Sequence, residues 1–397
     1  MKLIIELTAF QRGSSYGFEE YVCNLLRYMT AHVDEINAEE KVITCRESQV
    51  DYFTTLTKGT FDVIGVTADS RFDRFIASIR AIKKTKVEKK DIVLFPCNSM
   101  PLWPLKGKKL LVVHDLLFRH GEFCAKTLKF CLFRLNLFVH MPLSLKKANR
   151  IIAISDYAKN EMTHFYHVPS DKISVVYNYF DFGKFSMPGQ EMALFDIDSD
   201  YFMSVCSRVK HKNHITILRA FNKLAEQDKM IKYVFVGGLN NEAQEYYDAM
   251  PTDIRRRVLF FEHLSNAALG KLYQNTKAFV SASLYEGLGM PVVEAMYFNC
   301  PVILSDLSVH REVSLNQGNY FSPTDADELY DKMTHVDSSR KCYSKEIESI
   351  YSERNTSARY VAEINRLGGV NLQFRICVSG LNVDYTHAVW CEKRRAA

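Results

Sequence analysis

The chain has 397 residues, 47% of them hydrophobic and 24% charged, which is the make-up of a packed protein and excludes a disordered one. Its length suits two domains of roughly 100–200 residues each. A net charge of +5 is too weak for a nucleic-acid partner and fits anionic small molecules or an anionic membrane face.

From the N-terminus, Met1–Thr8 carries one basic residue and a short apolar run broken by Glu6, so it reads as a strand, Leu3–Leu7, and not as a signal peptide. Further strands are expected at Lys41–Cys45, Phe61–Val66, Ile92–Phe95, Leu110–Val113, Ile151–Ile154 and Ile173–Val176. Helical periodicity falls between them at Phe18–Met29, Arg71–Lys84, Leu128–Lys147 and Tyr157–Tyr166. Leu128–Leu145, the longest apolar region, is interrupted by Lys129, Arg134, Asn136 and His140 and does not span a bilayer. Phe182–Asp200 has Gly, Pro, Ser and acidic residues without a period, as a linker does. Strands then resume at Tyr201–Val205, Lys232–Val236, Val258–Phe261, Ala278–Ser281 and Pro301–Leu304, with helices at Ile215–Ala225, Ala267–Gln274 and Pro291–Tyr297. Beyond Asp325 the pattern is helical to Leu367.

This alternation predicts an α/β chain with two parallel-sheet domains, residues 1–183 and 184–365, and an unassigned tail, 366–397. The ten cysteines, scattered from Cys23 to Cys391 without a C-x-x-C pair, suggest reduced thiols in a cytoplasmic setting. Open α/β sheets bind ligands beyond the carboxyl ends of their strands, so two facing sheets place a site in the cleft between them.

The segment Phe279–Glu312 is the richest in chemistry. A strand ends near Ser281, a loop with Gly287 and Gly289 follows, and Pro291 opens a helix, where its missing N–H is tolerated. Free N–H groups at a helix start, reached through glycines, make an anion- and hydroxyl-binding surface. Glu286 on the loop and Glu294 in the first helical turn are expected to face one cavity, and paired carboxylates accept hydrogen bonds from vicinal hydroxyls. A capped helix with acidic residues at its N-terminus explains the same residues without a ligand. After Tyr201–Val205 comes Cys206–His214, whose Arg208, Lys210 and Lys212 supply the fixed positive charge that a diphosphate needs. In the N-terminal half, Arg12–Phe18 follows the first strand and includes Gly17, and His114 follows the strand ending at Val113, pointing into the presumed cleft.

Taken together these segments resemble a retaining glycosyltransferase of glycosyltransferase family 4, whose GT-B fold consists of two facing Rossmann-like domains with a deep interdomain cleft. The resemblance rests on Glu286 and Glu294 as an E-x7-E pair within EGLGMPVVEAM, the basic loop SRVKHKN, VVHD at Val112–Asp115 and Ala148–Ser155. Val176–Asp181 and Pro301–Asp306 extend it, over roughly residues 1 to 365. It implies that Arg208 and Lys212 hold the diphosphate of a nucleotide-sugar donor. Glu286 would contact the sugar beside the backbone amides of Gly287, Leu288 and Gly289, and Glu294 the ribose. His114 would lie near the reactive carbon, and Gly17 would let the first loop approach the phosphates. Arg208 and Lys212 stand four apart where many relatives have five, which brings in Lys210 as a sharer of the role.

No Asp, His or Glu cluster has metal-ligand spacing; His164-x-x-His167 and His211-x-x-His214 read as incidental. The expected reaction is therefore metal-independent and needs no cofactor beyond the donor, because Arg, Lys and a helix N-terminus can stabilise a leaving diphosphate. A hexose would pass to the hydroxyl of an oligosaccharide or lipid-linked glycan acceptor, in cell-surface polysaccharide or glycolipid assembly, with no nucleic acid involved. A nucleotide-sugar epimerase on the same fold, or a non-catalytic nucleotide-sugar-binding subunit, are the alternatives. Cys124–Lys147, with aromatics, leucines and five cations, reads either as a helix on the inner face of the cytoplasmic membrane or as a core helix with a basic edge.

Overall fold

A computed structural model describes residues 1–13, 16–67, 73–121, 128–186, 197, 199–262, 264–369, 375–378 and 381–384. The first domain runs β1 (Lys2–Glu6), α1 (Tyr16–Ala31), β2 (Glu40–Arg46), α2 (Val50–Leu56), β3 (Asp62–Val66), α3 (Asp73–Lys84), β4 (Ile92–Phe95), β5 (Lys108–Val113), α4 (Leu128–Lys147), β6 (Arg150–Ala153), α5 (Asp156–Tyr166) and β7 (Ile173–Val175). Its seven strands are all parallel, in the order β3-β2-β1-β4-β5-β6-β7. Side chains alternate across a strand, and β1 shows the consequence. Leu3 and Ile5 pack with α1 and α2 on one face, whereas Ile4 packs with Ile82 of α3, Met141 of α4 and Met162 of α5 on the other.

The second domain runs β8 (Tyr201–Cys206), α6 (His214–Gln227), β9 (Lys232–Gly237), α7 (Asn241–Ala249), α8 (Thr252–Arg255), β10 (Val258–Phe261), α9 (Asn266–Asn275), β11 (Ala278–Ser281), α10 (Met290–Tyr297), β12 (Val302–Ser305), α11 (Ser308–Val313), β13 (Asn319–Phe321) and α12 (Ala326–Thr334). Its sheet is parallel too, in the order β10-β9-β8-β11-β12-β13. In both sheets the winding reverses beside the domain's first strand, between β1 and β4 and between β8 and β11. Such reversal points open the crevice where α/β sheets take their ligands.

The C-terminal helical region is not one helix. α12 is followed by an irregular stretch, then α13 (Ser344–Tyr351) and α14 (Glu353–Gly368). Within that stretch Arg340 donates to the carbonyls of Tyr273, Thr276 and Phe298, which capture the chain ends of α9 and α10. α14 then returns to the first domain. Tyr360 bonds Tyr21 through the hydroxyls (2.9 Å), Glu363 pairs with Arg150 (3.1 Å), and the Asn37 amide donates to Asn365 (2.9 Å). A helix that the sequence groups with the second domain thus packs on the first. In the tail, β14 (Arg375–Val378) and β15 (Leu381–Asp384) pair antiparallel; the Lys393–Arg395 ending lies outside the described residues. So do Arg71 of the expected second helix, Cys124–Thr127 and most of the expected linker, of which Phe182–Ser186 forms a 3-10 turn.

Candidate active site

The loops after β8 and β11, on either side of the second reversal point, meet through Lys212 and Glu286. Lys212 ends a 3-10 turn, Lys210–Lys212, that is stopped by Asn213 in a left-handed conformation (φ 53°) before α6 begins. Its Nζ lies 2.5 Å from Glu286 Oε1, and Ser283 Oγ donates to the same oxygen at 2.6 Å. Burial pushes the Glu286 carboxyl up, but the Lys212 ammonium and the Ser283 hydroxyl outweigh it and hold the carboxyl at about 2. The pair borders a small pocket of about 10 Å³, room for about one water, lined also by Cys206, Ser281, Gly289 and Pro291. Gly289, at φ 91°, turns the chain into α10, with Pro291 in its first turn.

Glu294 departs from expectation. It lies in the second turn of α10, buried, and is not among the residues lining that pocket. Its Oε2 accepts from the Tyr273 hydroxyl (2.9 Å) and its Oε1 from Lys184 Nζ (3.2 Å), while Lys184 also bonds Glu20 of α1 (2.8 Å). Burial raises the Glu294 carboxyl, and Lys184 opposes that rise. The two glutamates therefore sit in separate settings because a linker cation holds one of them. Nor does the basic loop point one way. Arg208 is exposed, crosses Gly238 and pairs with Glu262 beyond β10, and Lys210 is exposed, so only Lys212 reaches Glu286.

Across the cleft, His114 follows β5 and is half-buried. Its backbone N–H donates to Asn98 (2.6 Å), and its Nε2 donates to the Pro96 carbonyl (2.8 Å). The ring stands edge-on to Tyr21 (4.5 Å) and Phe18 (5.5 Å) of α1. Burial lowers its pKa to about 4, so the imidazole is neutral at pH 7. The ring is thus anchored against α1 and a backbone carbonyl, where the sequence suggests free projection into the cleft. Gly17, beside Phe18, is exposed, with open space around it. A Cβ on Gly287 would meet the His114 carbonyl oxygen at 2.4 Å, so glycine is what lets the two domains touch here. Leu288 turns its side chain into the core.

Contacts that sequence reasoning did not assign join the domains around this point. Ser155 Oγ donates to the Gly287 carbonyl (2.7 Å), and Glu312 accepts from the amides of Asp156 and Tyr157 at the start of α5 (2.7 and 2.9 Å). The Tyr285 hydroxyl accepts from the Leu116 amide (2.7 Å) and donates to buried Glu161 (2.7 Å), whose other oxygen lies 2.7 Å from His120 Nε2. The sequence signal for Tyr285 is its place directly before Glu286; Lys184 has none, because it stands in a segment without period. Among the described residues no group of three or more His, Cys, Asp and Glu side chains is placed to hold a metal ion.

Residues 17–183 match the family model described as Glycosyltransferase Family 4, and residues 193–352 match that described as Glycosyl transferases group 1. With two facing parallel-sheet domains, these matches define the class: the chain is a glycosyltransferase of the GT-B architecture. Among named proteins it is similar to the O-antigen chain mannosyltransferase RfbU of Salmonella typhimurium, 26% identical over 308 residues that cover 76% of this chain and 82% of RfbU. The sucrose-phosphate synthase of Thermosynechococcus elongatus shares its fold at a TM-score of 0.69 (14% identical, 93% of this chain and 99% of that one). Anabaena HepE in complex with UDP and glucose does so at 0.64 (14% identical, 92% and 100%).

Proposed function

We propose that the chain is a retaining hexosyltransferase. It would move a sugar from a nucleoside-diphosphate donor to a hydroxyl of an oligosaccharide or lipid-linked glycan, in cell-surface polysaccharide assembly. The likeness to an O-antigen mannosyltransferase supports that process and makes mannose the first sugar to try. The observation that carries the reading is the Lys212–Glu286 pair at the second reversal point, a partly buried cation and carboxylate side by side, as a donor's leaving group and sugar require. In this reading Lys212 exchanges Glu286 for the diphosphate, and Arg208, released from Glu262, joins it with Lys210 at the rim. Glu286 then takes sugar hydroxyls beside the amides of Gly287, Leu288 and Gly289. Glu294 exchanges Lys184 for the ribose. Gly17 leaves room for the phosphates, and His114 stands under the reactive carbon as a neutral ring.

The bond from the anomeric carbon to the diphosphate oxygen breaks while the acceptor oxygen attacks from the same face, and the acceptor's proton passes to the departing diphosphate. Configuration is thereby kept without a protein nucleophile. The charge that develops on the diphosphate meets Lys212, Arg208 and the start of α10, so no metal is needed. The reaction would take place in the cytoplasm, at the inner face of the membrane. Proton NMR of the product tests this: the anomeric configuration of the donor is retained, and Lys212→Ala and Glu286→Gln lower turnover by about 10²–10³. An inverted product, release of an epimerised donor, or unchanged turnover in both variants would sink it.

A further inference from the structure

Five large apolar side chains stand in solvent on one side of the first domain: Ile76 on α3, Trp103 in the connection before β5, and Leu135, Val139 and Leu143 on α4. The α4 residues recur four apart and form one stripe, 62%, 52% and 38% exposed, while Met141 and Leu145 of the same helix are buried in the core. A helix apolar all round is ordinarily covered on every side. Here, among the described residues, only the inner side is covered.

The elements around the stripe are physically joined. Lys83 of α3 lies over the Trp103 ring at 5.3 Å, Lys147 of α4 donates to the Leu102 carbonyl, and Ser144 of α4 accepts from the Met100 amide (3.2 Å). Beside Trp103 an open hollow of about 460 Å³ is lined by Val66, Thr67, Arg80, Lys83 and Lys84. The charge is mostly of one sign: Arg80, Lys83, Lys84, Lys106, Lys146 and Lys147 are exposed cations, and Glu88, in the turn that Gly107 packs against, is an exposed acid that pairs with Lys90 (3.6 Å).

We propose that this face, α3, Trp103 and α4, is a docking surface for an anionic bilayer. Leu135, Val139 and Leu143 enter the acyl boundary, Trp103 sits at headgroup level, and the hollow of Arg80, Lys83 and Lys84 receives an anionic headgroup. A second copy of the chain would set cations against cations on the same face, which electrostatic complementarity disfavours. The purpose of the surface rests on the lipid-linked acceptor reading, but its test does not.

Purified full-length protein is floated with phosphatidylcholine vesicles with and without phosphatidylglycerol, at low and high salt. Co-flotation is expected with the anionic vesicles only, reversed by salt and accompanied by a blue shift of emission that Trp103→Phe removes. Lys83→Glu/Lys146→Glu and, separately, Leu135→Gln/Val139→Gln, each verified as folded by circular dichroism, should weaken binding roughly ten-fold or more. No flotation of the wild type with anionic vesicles, unchanged binding by both variants, or a solution dimer that Leu135→Gln/Val139→Gln dissociates would overturn the proposal. Donor turnover without vesicles, measured in parallel, reports on the glycosyltransfer reading alone.

Discussion

His114 and Glu286 are both pushed below their ordinary values, which leaves the imidazole neutral and the carboxyl charged. His114 is held neutral by burial, with its folded pKa at about 4 against roughly 6.5 in an unfolded chain. Between those values the unfolded chain takes the proton first, so stability rises with pH through that window and is complete above it. Glu286, held at about 2 by Lys212 once burial is outweighed, contributes stability above its unfolded value of roughly 4.3 that is lost as pH falls toward 2. NMR titration of the wild type should place the His114 imidazole near 4, and donor turnover should show no His114 limb near 6.5; a midpoint at 6 or above contradicts the buried, Pro96-bonded ring. Lys212, Glu286 and Gly287 were legible in the sequence because loop, glycine and helix start lie together within a few residues of a strand end. The direction of Arg208 was not, since Glu262 comes from another strand's end. Nor was Lys184, whose two carboxylate partners, Glu20 and Glu294, lie far from it in the chain.

Among elements, the loop between β11 and α10 bears one of the contacts on which the domains meet. Gly287 lies against the His114 carbonyl, a backbone atom that cannot rotate aside, so Gly287→Ala must separate the domains or shift the loop. The expected result is turnover lowered by at least about ten-fold with little change in melting temperature, because the packing on each sheet stays intact. A fully active Gly287→Ala enzyme would show that the observed contact is not the working one. Most strands were legible from apolar runs bounded by polar turns. β13 was not, because Asn-Tyr-Phe shows no apolar run, and α7 and α8 bury a single side chain each while α11 has six residues. The break after α12 lies in a polar stretch, and its stabilising contacts, from Arg340 to the ends of α9 and α10, are remote in sequence.

At the scale of the molecule, one apolar core passes through both domains by way of Phe180, Phe182 and Tyr351, and α14 ties the helices after the second sheet to α1 and β6 of the first domain. Two α/β halves were visible in the alternation of elements; their mutual attachment was not, because it depends on side chains a whole domain apart. With the domains in this contact, the pocket beside Lys212 and Glu286 is small, so in the proposed reading a donor would part that ion pair as it binds. The most direct test is calorimetric titration of the wild type, Lys212→Ala and Glu286→Gln with UDP-, GDP- and ADP-hexoses. The account predicts that one donor binds the wild type, that Lys212→Ala weakens the whole donor and its nucleoside diphosphate alike, and that Glu286→Gln weakens the donor but not the diphosphate alone. Equal binding of donor and diphosphate by all three proteins would contradict it.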